Sequence, residues 1–577
     1  MGLQVHREGT NPGQSWLPLL LILAAWLLIN LVQGAITGLF DDEALFWMYG
    51  ERLDWGYYEH PPMVGLLIRG GYELLSGELG VRLLFIILST LSLFLIIRLA
   101  GVVNLPLFFA IAFSPLIMQV GGFIAAPDVP LIFFTVLFFL VYRNILQKPS
   151  LPAVLLWGII MAAMIYSKYN GILVIFLTIL SNPSLLKKRY FYIAGITGII
   201  LFIPHIIWSF RNDHPTIYYH LLERNFSQNW SIDYLFEYLP GQFGIYGPLM
   251  SFPVFWAIFA IRTKESFERA LKFTACGIIL FFLLYTLRGK VEPNWTLPAY
   301  VPMMVLAYRY FEKRQRLHTL IYWLAGISLV LMLAFRLYLV YDYLGLPKKV
   351  VNLRELYGWD EWAKEVELLA GERPVVFFNN YQKASKYIFY THRLAYTLEN
   401  STAHRTQYYY WDDMERELQG KDVMILSLSE EPYIPGKKTF TAGNNSINYY
   451  GYCPDFRSYY ALPVKLLTND LKFRRKSVIS LPVRIINPYP DTLNFGCEPA
   501  MPSRLVLCLY DEQNNFRIDT AMTGLDPVIL APGDFKDTCI RVIAPEIPGT
   551  YYFCISVQTG WLASGRNMNY QKMEVCE

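Results

Sequence analysis

Residues 16–43 read WLPLLLILAAWLLINLVQGAITGLFDDE. The first part, from about Trp16 to Val32, is apolar and long enough to cross a bilayer, which takes about 20 such residues. It is long for the apolar core of a secretory leader, and no small-residue cleavage site precedes Asp41, so it reads as a retained transmembrane helix. The second part ends in Asp41, Asp42 and Glu43. Carboxylates beside a bilayer are costly to desolvate and are kept there when they bind or react. The bland alternative is a solvated loop start. Trp47, Tyr57, Tyr58, Glu59 and His60 crowd the same short segment and tip the reading toward chemistry.

Composition agrees with a membrane chain. Of 577 residues, 54% are hydrophobic and only 17% are charged, fewer than a soluble protein of this length carries. The net charge of +4, without a long Lys/Arg tract, argues against a nucleic-acid partner. Aromatic residues suit interfacial belts and sugar stacking equally and decide nothing alone.

Further apolar runs lie near 81–100, 104–122, 129–146, 152–167, 170–182, 190–210, 247–262, 271–287, 295–310 and 319–340. That makes about eleven spans. With the N-terminus inside, the inner loops hold Arg98, Arg143, Lys148, Lys187-Lys188-Arg189, Arg262, Lys264, Arg269, Lys272, Arg309, Lys313, Arg314 and Arg316. The alternation stays in phase and leaves everything after about Tyr341 outside. It also gathers Asp42, Glu59, His60, Asp128, Lys168, Arg211, Arg224 and Lys290 on one outer face. The expected setting is a plasma (inner) membrane, crossed many times, with the C-terminal part extracytoplasmic.

We expect a helical membrane domain over 1–345, a small α/β domain over 346–455 and a β-sandwich over 456–577. Pro374–Phe378 and Asp422–Ser427 read as strands, and Tyr381–Tyr390 and Trp411–Leu418 as helices. Seven sandwich strands are expected at 459–468, 477–487, 503–511, 515–522, 535–543, 549–558 and 570–576. Six cysteines (Cys453, Cys497, Cys508, Cys539, Cys554, Cys576) fall in this region. Disulfides weigh slightly ahead of small buried thiols; no C-x-x-C spacing points to zinc.

Acids beside cations at a lipid surface suit a donor with a lipid phosphate and an acceptor with a hydroxyl. Cations neutralise the phosphate and a carboxylate takes the proton. The segments Asp42-Glu43, Tyr57-Tyr58-Glu59-His60-Pro61-Pro62, Ala126-Pro127-Asp128, Ser167-Lys168-Tyr169, Ile207–Asn212 and Lys290–Trp295 resemble those of the GT-C glycosyltransferases. Within that family the branch is that of the protein O-mannosyltransferases and the aminoarabinose lipid A transferases. The resemblance covers about residues 15–345.

The resemblance implies sugar transfer, with inversion, from a polyprenyl-phosphate donor to a lipid, glycan or protein hydroxyl. It implies Asp42 as general base, with Glu43 and Asp128 in the catalytic set. It implies His60, Lys168, Arg211, Arg224 and Lys290 around the donor phosphate, and Glu59 with His220 as ligands of a divalent metal (Mg, Mn or Zn). His60 stands where the aminoarabinose transferases carry Lys. The competing reading is a transporter with an extracytoplasmic binding module; charge at mid-span would favour it, but the charges cluster at span ends.

Overall fold

The computed structural model describes residues 16–219, 231–345, 353–401, 403, 405–496, 501–510, 516–520, 522–523 and 528–577. The chain forms two compact units, Met1–Tyr357 and Gly358–Glu577.

The first unit is helical. Among the described residues five helices have the length and composition to cross a membrane: Leu17–Ile36, Gly77–Ala100, Asp128–Gln147, Arg189–Arg211 and Gln315–Tyr338. Leu151–Ser167, Gly171–Ser181 and Ser251–Ala260 are shorter apolar helices. The expected span at 104–122 is two pieces, Leu105–Ala112 and Leu116–Gly121. Pro115 causes the break: it has no N–H to donate and pushes the residue before it out of helical geometry. The expected span at 295–310 is likewise a 3-10 turn, Pro293–Ala299, leading into the helix Tyr300–Glu312.

The cationic ends of several helices meet. Arg143 donates to the Leu99 carbonyl (3.2 Å), and Arg309 to that of Ala100 (3.3 Å) and to Glu268 (3.3 Å). These are loops that the charge bias assigned to one side.

Helices Leu151–Ser167 and Arg189–Arg211 approach through small residues, as membrane helices do when backbones pack closely. A methyl group added at Gly158 would lie 2.4 Å from the Ala194 carbonyl oxygen. Gly158→Leu is therefore expected to cost about 1–3 kcal/mol or more through overpacking. The readout is a fall in the detergent unfolding temperature relative to Gly195→Leu, where nothing lies within 4 Å of the added carbon.

The second unit joins two folds. Its first part is a five-stranded sheet in the order 395–398, 375–378, 423–427, 447–453, 438–441. The first three strands are parallel, and the last two add antiparallel. The second part is a sandwich of a five-stranded and a four-stranded sheet with a two-stranded ribbon. Along Val478–Ile486 burial alternates, with Ile479, Leu481, Val483 and Ile485 inside. Short strands at 472–474, 493–495, 522–523 and 528–530 add to those expected.

The cysteine expectation needs correcting. Cys453, Cys508, Cys539, Cys554 and Cys576 are all free thiols, and Cys497 lies outside the described residues. Cys508 and Cys554 face each other across adjacent strands, but both turn to the Ser556 hydroxyl (3.3 and 3.5 Å). They pack as small buried side chains.

Two buried carboxyls give this unit a pH dependence. Burial pushes Glu399 and Glu415 up to about 7, against hydrogen bonds from Thr406 to Glu399 and from Ser458 and Tyr489 to Glu415. An acid with a raised folded pKa stabilises fully below its unfolded value near 4.5. That contribution is lost as pH rises toward 7. The unit is expected to be more stable at pH 5 than at pH 8, by on the order of 2–3 kcal/mol per group. Glu399→Gln and Glu415→Gln should each flatten the pH profile of hydrogen exchange in strands 395–398 and 423–427.

Candidate active site at the acidic end of the helical unit

The segment after the first span is helical, Asp41–Glu51. Its acidic residues fall in the first turn, where the helix dipole favours negative charge. Glu43 accepts from the Phe40 N–H (3.0 Å), half of a capping box. The same carboxylate, buried at 2% exposure, grips Arg82 with both oxygens (2.9 and 2.5 Å). It also accepts from the Ala125 N–H at 2.8 Å. Arg82 is sealed off from solvent and also donates to the carbonyls of Gly34, Thr37 and Gly38. Glu43 thus has all its lone pairs engaged in holding loops together, so it is a positioning residue and not a reacting one. Asp42, next to it, is exposed.

Ala125 is three residues before Asp128, so the Glu43 contact joins the two acidic loops. Asp128 starts the helix Asp128–Gln147 and is buried. Both of its oxygens bind the Lys168 ammonium at 2.9 Å, and Asn294 donates to one of them at 3.1 Å. Residues from three distant parts of the chain therefore meet. Asp128 and Asn294 line a cavity of about 100 Å³ whose apolar wall includes Leu93, Ile96, Ile117, Ile124 and Ile132. Asn294→Ala is expected to cost about 1.5–3 kcal/mol by removing one hydrogen bond to a charged partner. Transfer activity and the unfolding midpoint of the variant, measured together, check this.

The loop with Tyr57 and His60 is pinned beside the helix Arg189–Arg211. His205 donates from Nδ1 to the Trp55 carbonyl (2.8 Å) and accepts at Nε2 from the Tyr169 hydroxyl (3.2 Å). Trp208 donates to Asp54 at 2.8 Å, and Thr216 to the Tyr57 carbonyl at 3.3 Å. Gly56 lies under the Trp208 ring, where an added carbon would clash at 2.4 Å. His205 is structural here. Glu59 and His60 are half-buried, and the His60 ring meets Phe46 edge-on at 5.3 Å.

Arg211 is exposed in the last turn of its helix. Lys290 is exposed and pairs loosely with Glu237 at 3.7 Å. His220 and Arg224 lie outside the described residues. Among the described residues no three His, Cys, Asp or Glu side chains assemble to hold a metal, and the expected Glu59–His220 pairing lies partly outside them.

Sequence reading missed Arg82 and Arg336. Each is a cation inside an apolar run, which is itself a signal. Arg336 is buried in the last span and donates to the Asn30 side chain (2.5 Å) and the Gln119 carbonyl (2.6 Å). Both guanidinium groups face the Phe123 ring at 5.6 Å, so the loop leading to Asp128 is held between them.

Comparison with known proteins agrees with this architecture. Residues 59–208 match the family described as dolichyl-phosphate-mannose-protein mannosyltransferase. The lipid A galacturonosyltransferase RgtD of Rhizobium johnstonii is 25% identical over 389 residues, 62% of this chain and 78% of that protein. The crystal structure of ArnT from Cupriavidus metallidurans bound to undecaprenyl phosphate matches at a TM-score of 0.54 and 16% identity, over 76% of this chain and 98% of that one. Its apo state matches at 0.55 and 15%, over the same shares. At such identities the two structures speak for the fold alone. With the many apolar helices and the joined acidic loops, these likenesses give the chain the fold of the membrane glycosyltransferases it resembles.

Proposed function

We propose that the chain moves a sugar from a polyprenyl phosphate to a hydroxyl acceptor at the membrane face that carries Asp42 and Asp128. The observation that supports this is the Glu43–Ala125 hydrogen bond, which ties the segment of Asp42 to the loop leading to the Asp128–Lys168 pair. The acceptor oxygen attacks the anomeric carbon, the bond from that carbon to the phosphate oxygen breaks, and the acceptor proton passes to Asp42. Configuration inverts. Asp128 orients Lys168, whose ammonium offsets charge on the departing phosphate. Arg211 and Lys290, exposed at the same face, add to the positive field. The apolar cavity wall suits isoprenoid carbons.

The named activity of RgtD and the undecaprenyl phosphate bound to ArnT support a lipid-linked donor and a lipid or glycan acceptor. The setting that follows is a plasma membrane with the second unit outside the cytoplasm.

The test is transfer by the detergent-purified full chain across mannosyl, galacturonosyl and aminoarabinosyl polyprenyl phosphates, each with and without EDTA. Turnover of one donor with inverted product is expected. Activity retained in EDTA would assign phosphate neutralisation to the chain's own cations; activity lost would assign it to a divalent metal. Turnover of no donor would overturn the proposal.

A further inference from the structure

The mixed sheet of the second unit reverses direction at strand Val375–Phe378. The chain leaves it through helix Tyr381–Thr391 to pair Ala395–Leu398 on one side. It then passes through helix Asp412–Leu418 to pair Val423–Ser427 on the other. Outside the carboxyl ends of strands at such a reversal is where open α/β sheets take ligands. Three segments end there: Phe378-Asn379-Asn380, Glu399-Asn400-Ser401 and Leu428–Tyr433.

A sandwich loop is fastened over this edge. The Ser401 N–H donates to the Ser564 carbonyl at 2.9 Å, their hydroxyls meet at 3.1 Å, and Leu562 is fully buried. The loop carries Trp561 out to the edge, just after Gly560, whose φ of 51° suits glycine. The Trp561 ring meets Phe378 at 6.3 Å and Tyr433 at 5.8 Å, both edge to face. In such pairs only one ring of the two gives up a face, so open ring surface remains. Tyr433 is 65% exposed, and Phe378 and Trp561 are half-buried. The loop's anchors are Leu562 and Ser564, so packing alone gives no reason for Trp561 at the edge.

Polar groups frame the rings. Asn379 is exposed and adopts a left-handed backbone, φ 46°. Its Oδ1 accepts from the Asn400 N–H at 2.9 Å, while its amide nitrogen has no partner among the described residues. Glu430 and Glu431 are exposed on the next loop. Lys437 donates to the Glu430 carbonyl at 2.8 Å, and Arg566, just past the sandwich loop, is buried.

We propose that this edge is a saccharide-binding site, separate from the transfer site, that takes a neutral or amino-bearing glycan. Sugar C–H faces stack on the open rings, and hydroxyl groups bond the Asn379 amide and the nearby carboxylates. Two exposed carboxylates against the single Lys437 ammonium leave the edge net negative, which disfavours uronic acids and phosphates.

The test is saturation-transfer NMR on the full chain in a sugar-free zwitterionic detergent. The probes are methyl mannoside, methyl galactoside, methyl glucosaminide and galacturonic acid. Transfer is expected to at least one of the first three and to be weakest for the last. Tyr433→Ala, on an exposed loop, and Trp561→Ala should each weaken binding roughly three- to tenfold. Asp42→Asn should leave the signal intact. No transfer to any probe, equal transfer in both aromatic variants, loss of signal in Asp42→Asn, or preference for galacturonic acid would each overturn the proposal.

Discussion

Asp42→Asn is expected to lower turnover by about 10²–10⁴-fold, the usual contribution of a positioned general base. The substitution keeps shape and removes only the ability to hold a proton. Asp42 lies in the first turn of Asp41–Glu51 and is exposed. Asp41 and Glu43 continue to offset the helix dipole, and the Glu43 cap to Phe40 is untouched. The folded state should therefore shift by less than about 1 kcal/mol. Turnover of the donor identified above, set beside a detergent unfolding curve, separates the two quantities. Near-normal transfer by the variant would remove Asp42 from the role.

The second large effect is the reverse, a loss of fold before any loss of chemistry. Arg82→Met is expected to destabilise the helical unit by about 3–5 kcal/mol, because it leaves the Glu43 carboxylate buried without its cation. The carbonyls of Gly34, Thr37 and Gly38 lose their donor in the same step. Against a usual total of about 5–15 kcal/mol, that is a large share. Yield of monodisperse protein and the unfolding midpoint report it. Arg82→Met with Glu43→Leu should recover part of the loss, since no charge is then stranded. If the single and double variants unfold alike, the pair is not what holds these loops.

The two substitutions mark what was legible in the residues. Apolar runs announced the helices, because lipid demands them whatever the neighbours. Lys and Arg placed Asp42 and Asp128 on one side, and the Glu43–Ala125 contact joins those same loops. The break at Pro115 carried a signal too, but hydropathy averages over it. Side-chain pairing was hidden. Nothing local says that Glu43 spends its oxygens on Arg82 while Asp42 stays exposed, or that Asn294 reaches Asp128. Phe378, Tyr433 and Trp561 are scattered among many aromatics, and only the sheet reversal and the sandwich loop gather them.

The Glu43–Arg82 pair also bears on how the chain is made. Synthesis runs from the N-terminus, so Glu43 has left the ribosome before Arg82 enters the bilayer within its helix. The anion is waiting when the cation arrives, which eases insertion of a segment that would otherwise carry a bare guanidinium among acyl chains. Ala125 emerges later still, and in the folded chain it donates to the same carboxylate. Moving the acid to a position after residue 125 would keep the same charges and lose that order of events.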